Sequence, residues 1–176
     1  MSEHTPNAIA MRSIKLFIGL LLLMETSCSI HKGNPLMDYF GTPMPSFSLL
    51  LMDSVTKINT NNIQIGRPTV LFLFSPYCPF CKKDIENIIA HIDTLSGVNF
   101  YLLSSFPFSQ VKAFSKQHHL DQYKNIVVTQ DNNSDFIKYF KVKGIPFLAC
   151  YNRDKKLNQL LIGNVDMKAI LQLASE

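Results

Sequence analysis

The segment TVLFLFSPYCPFCKKDIENII, residues 69–89, holds two cysteines where an apolar run gives way to a charged one. Val70 to Phe74 is continuously apolar over a strand's length, which is typical of a strand buried on both faces. Four isoleucines behind the cysteines recur at helical spacing: Ile85, Ile88, Ile89 and Ile92. They predict one apolar face of a helix from Pro79 to Ile92. Cys78 and Cys81 therefore stand where a buried strand leads into a helix.

The first 28 residues have the layout of a bacterial secretory signal. A basic start, MRSIK at residues 11–15, precedes the apolar run LFIGLLLLM at residues 16–24. That run is too short to cross a bilayer, which takes about 20 apolar residues. Met11 is a candidate for the true start of the protein. We expect the mature chain to reside outside the cytoplasm, in the bacterial cell envelope, where disulfides persist.

Cys28 follows the apolar run at the position of the acylated cysteine in a lipoprotein signal. Ser27 and Thr26 resemble the small residues of such a signal, whereas Glu25 stands where an apolar residue is usual. We predict a lipid anchor at Cys28 that holds the protein on a membrane, facing the periplasm. The alternatives are cleavage nearby by the ordinary signal peptidase and an uncleaved anchor.

The composition indicates one globular domain. The chain has 176 residues, 47% of them hydrophobic and 17% charged, which suits a folded protein with a single core. We expect residues 29–40 to form a tether and residues 41–176 to form the domain. The net charge of +4 is mild and its lysines and arginines are scattered, so the pattern does not favour nucleic-acid binding.

Strand and helix patterns alternate through the domain. A strand within Gly41 to Leu51 precedes a hairpin and a loop at residues 52–68. Further strands are predicted at Gly97–Leu103, Asn125–Thr129, Pro146–Asn152 and Lys156–Gly163. Helices are predicted at Ser109–Leu120 with Ser109 as N-cap, at Ser134–Val142 and at Asp166–Leu173. This order predicts an α/β fold with a mixed central sheet and helices on both faces.

Two further motifs make a family resemblance specific. The strand, the Cys-x-x-Cys at a helix start and the later Gly144-Ile145-Pro146 before a hairpin resemble the thioredoxin fold. The opening from Gly41 to Leu49 resembles that of its TlpA-like and peroxiredoxin-like branch. The resemblance implies a thiol-disulfide oxidoreductase with an N-terminal β-hairpin extension. It implies no metal and no cofactor beyond a redox-active Cys78–Cys81 disulfide, with protein thiols and an electron donor as partners.

The residues on either side of the pair receive predicted roles. Cys78, at the N-terminal end of the helix, is the candidate nucleophile, because helix N-termini favour thiolates. Cys81, one turn further on, is the candidate resolving thiol. The resemblance implies a cis peptide bond at Ile145-Pro146, lying against the cysteines. The predicted substrate contacts are Tyr77, Pro79, Phe80, Ile145 and Pro146.

The sequence departs from thioredoxins at two places. Phe72 stands where thioredoxins carry a buried acidic residue, so the sequence names no base for the resolving step. The dipeptide between the cysteines is Pro-Phe, which tunes the reduction potential in a direction that the sequence does not give. The TlpA-like opening favours a reductase over an oxidase or isomerase.

Other interpretations of the cysteines are weaker. So short a loop makes a poor structural disulfide, and zinc needs a second pair that Cys150 with scattered histidines does not supply. His118 and His119 are expected to face solvent, and copper-assembly proteins of this fold use one more residue between their cysteines. A peroxidase remains an alternative, although Ser75 replaces the threonine of its motif. A non-catalytic binding module is the other, and Cys150 is predicted to be a buried core thiol beside Leu148.

Overall fold

A computed structural model describes residues 36–175 of the chain. The strands in this range are β1 (Ser48–Leu51), β2 (Lys57–Asn59), β3 (Thr69–Leu73), β4 (Asn99–Ser104), β5 (Ile126–Gln130), β6 (Phe147–Tyr151) and β7 (Leu157–Ile162). The α-helices are α1 (Pro79–Ala90), α2 (Phe108–Gln117), α3 (Asp135–Phe140) and α4 (Met167–Leu173). Short 3-10 turns lie at Met37–Tyr39, Thr60–Asn62 and Leu120–Gln122.

The strands form one mixed sheet in the order β2-β1-β5-β4-β3-β6-β7. Strands β3, β4 and β5 run parallel, and every other pairing is antiparallel. The hairpin of β1 and β2 joins the sheet beside β5. The predicted α/β class, the mixed central sheet and the N-terminal hairpin are confirmed.

Strand β3 runs through the centre of the core, and all five of its residues are buried. Val70 and Phe72 pack on one face with apolar residues of α1, α2 and α4. Leu71 and Leu73 pack on the other face, in a cluster that includes Phe136 from α3. Because β-strand side chains alternate between the two faces of a sheet, a continuous apolar run gives a strand covered on both sides.

The described part of the chain begins inside the segment predicted as a tether. Tyr39 donates a hydrogen bond from its hydroxyl to the carbonyl of Tyr139 at 2.7 Å, and the Gly41 amide donates to the carbonyl of Leu157 at 2.8 Å. The predicted signal and Cys28 lie outside the described residues. None of the helices in residues 36–175 is long and apolar enough to span a membrane.

The predicted helices differ from the observed ones by one to three residues at most of their ends, and one predicted N-cap is wrong. Helix α2 has Pro107, not Ser109, as its N-cap, and Ser109 lies within the first turn. The carbonyl of Pro107 accepts hydrogen bonds from the amides of Gln110 and Val111 at 2.9 and 3.2 Å. These bonds start the helix two residues before the expected cap, so the predicted capping role of Ser109 is wrong.

Candidate active site

The cysteines lie where strand β3 ends, at the carboxyl edge of the three parallel strands. A tight turn carries the chain from the strand to helix α1. The Ser75 hydroxyl accepts a hydrogen bond from the Tyr77 amide at 3.1 Å, and the Ser75 carbonyl accepts one from the Cys78 amide at 3.1 Å. Loops at this edge of parallel strands are common positions for ligand-binding and catalytic groups. The turn fixes where the first cysteine meets the helix.

Cys78 is the N-cap of helix α1 and is only partly buried. Its sulfur accepts a hydrogen bond from the backbone N–H of Cys81 at 3.1 Å. An N-cap acceptor receives a donor that the helix itself leaves unpaired, and the positive end of the helix dipole favours an anion there. Pro79 follows at the first helical position, where its missing N–H costs no hydrogen bond. This position gives the Cys78 sulfur a backbone N–H donor and leaves it partly open to solvent.

Cys81 has the opposite environment, because its side chain is fully buried. Burial raises the pKa of its thiol, and its hydrogen bond with Cys78 raises that pKa further. The negative charges of Cys78 and Asp84 act in the same direction, while a backbone interaction with Ser75 opposes them. The two thiols therefore differ: Cys78 is partly accessible, whereas Cys81 is buried and its raised pKa favours the protonated form.

Asp84 is a buried titratable residue beside the cysteines that the sequence interpretation did not single out. It lies three residues after Cys81, so both side chains project from one side of α1. Asp84 is 3% exposed, and its Oδ2 has no hydrogen-bond partner in residues 36–175. Burial raises the pKa of this carboxyl to about 6, although Lys83 and a hydrogen bond from the Val165 backbone oppose the rise. A buried carboxylate with a vacant oxygen suits a proton acceptor.

The wall opposite the cysteines comes from the start of strand β6. The Ile145–Pro146 peptide bond is cis, as predicted. Phe147 pairs with Leu73 at the end of β3, so Pro146 lies at the same end of the sheet as the cysteine turn. Pro146 is buried, whereas Ile145 is half-buried and packs against the cluster that Cys78 also contacts.

Exposed aromatic rings flank the cysteine turn. Tyr77 is 67% exposed and Phe80 is 61% exposed. The Tyr77 ring meets the ring of Phe106 edge-on, with centroids 5.7 Å apart. Phe106 belongs to the loop after β4 and was not among the predicted contacts. Apolar side chains left in solvent beside a reactive group indicate a surface that contacts something else.

The remaining predicted residues lie away from the sulfurs or in the core. Phe72 is fully buried, and Cys150 packs in the same cluster as Leu148. His118 ends helix α2 and packs on the ring of Phe114 at 4.4 Å, while His119 is exposed. Within the described residues, no group of His, Cys, Asp and Glu side chains is arranged to hold a metal ion.

Comparison with known structures identifies the fold. The thiol:disulfide interchange protein of Chlorobium tepidum superposes with a TM-score of 0.63 at 18% identity, over 77% of this chain and 94% of that one. A secreted Mycobacterium tuberculosis disulfide oxidoreductase, described as homologous to E. coli DsbE, gives 0.60 at 16% identity, over 73% and 94%. This chain has the thioredoxin fold. The predicted thioredoxin fold is therefore confirmed.

Sequence comparison finds relatives at low identity. No protein-family model matches the chain. The methylamine utilization protein MauD of Methylobacillus flagellatus is 25% identical over 146 residues, which are 79% of this chain and 67% of that protein. The MauD protein of Methylophilus methylotrophus is 24% identical over 149 residues. The structural neighbours establish the thioredoxin fold, and a fold alone does not specify a function.

Proposed function

We propose that the protein is an extracytoplasmic thiol-disulfide oxidoreductase that reduces protein disulfides. The observation that carries the proposal is the asymmetry of the two thiols. Cys78 is accessible, and its Sγ accepts a hydrogen bond from the backbone N–H of Cys81 at 3.1 Å. Cys81, three residues later, has a fully buried side chain. Disulfide exchange needs one thiolate that meets the client and a second thiol that stays protonated until it is needed.

The reaction proceeds in two exchanges. The Cys78 thiolate attacks one sulfur of a client disulfide, forming a mixed disulfide and releasing the other client sulfur as a thiolate. The Cys81 sulfur then attacks Cys78, which forms the Cys78–Cys81 disulfide and releases the second client thiolate. The client disulfide gains two electrons, and the protein's dithiol loses them. An electron donor that carries a dithiol restores the reduced protein.

Asp84 supplies the base for the resolving step. Phe72 cannot do so, although it stands where thioredoxins carry a buried acid. The Asp84 carboxylate accepts the Cys81 proton as that sulfur attacks, since the vacant Oδ2 and Cys81 project from the same side of α1. With a pKa of about 6, the carboxylate is ionised at neutral pH but lies close enough to neutrality to pass the proton on. A general base of this kind contributes about 10²–10⁴-fold.

The surface formed by Ile145 and Pro146, here called the cis-proline wall, suits a protein as the client. A segment lying along Ile145 and Pro146 would add to the start of β6 as an extended strand, beside the Cys78 sulfur. Tyr77, Pro79 and Phe80 would contact the same client, since all three are exposed around that sulfur. These contacts favour extended or locally unfolded clients over compact small disulfides.

The export signal and Cys28 give the proposal its location. A lipid anchor at Cys28 would hold the domain on a membrane, facing the periplasm, with the predicted tether at residues 29–40 following the anchor. One structural neighbour is described as secreted, which is consistent with this location. Metabolic labelling with a radioactive fatty acid tests the anchor. Label should enter the wild-type protein and be absent from Cys28→Ser; label retained in that variant contradicts the anchor.

Insulin reduction in the presence of dithiothreitol tests the activity. Cys78→Ser should slow the appearance of turbidity to the rate with dithiothreitol alone, while Cys150→Ser, a change within the core away from the exchange, should retain the faster rate. If Cys78→Ser keeps the activity, the role of the pair is wrong. A Cys81→Ser protein should accumulate mixed disulfides with envelope proteins. Failure to trap any client would instead support a binding module.

The reduction potential tests the direction of electron flow. A reductant should equilibrate with glutathione near the thioredoxin value of about −270 mV, whereas an oxidant should lie near about −120 mV. A value at the oxidising end would retain the exchange chemistry and overturn the assignment as a reductase.

A further inference from the structure

A cavity of about 260 Å³ lies between the cysteine turn and helix α2. Pro76 and Tyr77 form one side, directly before Cys78 in the chain. The other side is formed by residues of α2: Ser109, Gln110, Ala113, Phe114 and Gln117. No lining residue belongs to β6, so this cavity is separate from the cis-proline wall.

The size and lining of the cavity restrict what it accepts. Sites for small molecules usually measure about 300–1,000 Å³, so this cavity is closer to the size of one large side chain. The lining combines the rings of Tyr77 and Phe114 with uncharged polar groups, and none of its residues carries a charge. A charged side chain would lose hydration there without gaining an ionic partner. An aromatic or large aliphatic side chain would gain apolar contact.

The frame around the cavity is held in place before any client arrives. The Ser75 hydroxyl fixes the Tyr77 amide at 3.1 Å, and the Phe106 ring supports the Tyr77 ring. The Gln130 side-chain amide donates to the Phe106 carbonyl at 2.8 Å and so holds that loop. A wall that needs no ordering on binding favours affinity and selectivity.

We propose that this cavity selects clients by taking an aromatic or large aliphatic side chain close to the client cysteine that joins Cys78. The proposal rests on the proposed disulfide exchange. Tyr77 and Cys78 are adjacent, and an extended client advances about 3.3–3.6 Å per residue. The selected side chain therefore lies within about three residues of the client cysteine. The occupant is a polypeptide because the client is joined to Cys78, which directly follows the lining residue Tyr77 in the chain.

Competition between synthetic peptides tests the selection. Short glycine-rich peptides, each with one cysteine joined to glutathione, carry Phe, Leu, Gly, Asp or Lys two residues before or after that cysteine. In a Cys81→Ser background, the Cys78 thiolate attacks the peptide sulfur, the glutathione thiolate leaves and the peptide adduct persists. Mass spectrometry of equal mixtures gives relative adduct rates. The peptides form two series, with the test residue either before or after the cysteine. In one series, the Phe peptide should form its adduct about tenfold faster than the Gly peptide, equivalent to about 1.4 kcal/mol.

Two alanine-to-phenylalanine variants provide a matched pair. Ala113 is exposed at the cavity, so Ala113→Phe should fill it and reduce the Phe-to-Gly ratio to about one. Ala90 is exposed at the other end of α1, and Ala90→Phe should leave the ratio unchanged. Tyr77→Ala removes the opposite side of the cavity and should also lower the ratio. The Gly peptide in the same mixture verifies that each variant still reacts.

The outcomes separate the two proposals. If no peptide forms an adduct, the disulfide exchange itself is wrong. If adducts form at equal rates for all peptides, or if Ala113→Phe retains the full preference, the exchange stands and the selection by this cavity is wrong. A preference that Ala90→Phe abolishes as strongly as Ala113→Phe also overturns the cavity proposal.

Discussion

Replacing Asp84 by asparagine tests the energetics of the buried carboxyl. Burial raises the pKa of Asp84 from an ordinary 3.8 to about 6, and each pKa unit corresponds to about 1.4 kcal/mol. The free energy of unfolding therefore falls by about 3 kcal/mol when this group ionises in the folded protein. Because the folded state binds the proton more tightly, the stabilisation is present below about pH 3.8 and is lost as the pH rises through about 6.

Asparagine keeps the shape of the side chain and removes its charge. We expect Asp84→Asn to gain stability relative to the wild type as the pH rises, by about 2.5 kcal/mol between about pH 4 and about pH 7.5. Urea unfolding followed by circular dichroism at several pH values measures this difference. Asp93→Asn, at an exposed carboxylate just beyond α1, is the control and should show no such trend. A constant stability difference across the pH range would refute the reasoning.

The same substitution should separate stability from catalysis. Without the carboxylate, the release of a client from its mixed disulfide should slow by about 10²-fold, despite the more stable fold. In the wild type, the release rate should rise with pH through about 6, and Asp84→Asn should lose that rise. Rapid-mixing measurements of client release give both values. Equal release rates in the two proteins would remove Asp84 from the mechanism.

Two further predictions concern parts of the fold away from the sulfurs. Phe136→Ala should lower the free energy of unfolding by about 3–5 kcal/mol, because the ring is fully buried in the cluster on the face opposite α1. Urea denaturation measures this loss, and a loss below about 1 kcal/mol would contradict the packing. Asp131→Ala should cost about 1–2 kcal/mol, since the Asp131 carboxylate accepts the amides of Asp135 and Phe136 at 3.0 and 2.9 Å. Hydrogen exchange should then accelerate in α3 and remain unchanged in α1; equal acceleration in both helices would argue against a local cap.

The sequence was sufficient for the sheet and the cysteine turn because their signals are local. A continuous apolar run at Val70–Phe74 and isoleucines at helical spacing each identify an element without reference to the rest of the chain. Ser109 was misassigned because a proline two residues earlier supplied the first helical carbonyl.

The missed residues required knowledge of how the elements pack. The thioredoxin pattern places a buried acid at position 72 on β3, whereas this chain buries Asp84 on helix α1. The helical phase offered a signal, since Asp84 follows Cys81 by three residues and directly precedes the buried Ile85. Phe106 gave no such signal, because its loop meets Tyr77 only after β4 pairs with β3.

The pairing of β3 with β6 has a consequence for handling the protein. Both cysteines of the pair lie within the first 81 residues of the chain. The surface at residues 145–147 forms only when the start of β6 pairs with the end of β3. A chain that stops before Gly144 contains both thiols of the pair and lacks the surface that faces them. Thiol titration therefore counts cysteines without measuring competent protein, and preparations should be standardised on native-state fluorescence or exchange activity.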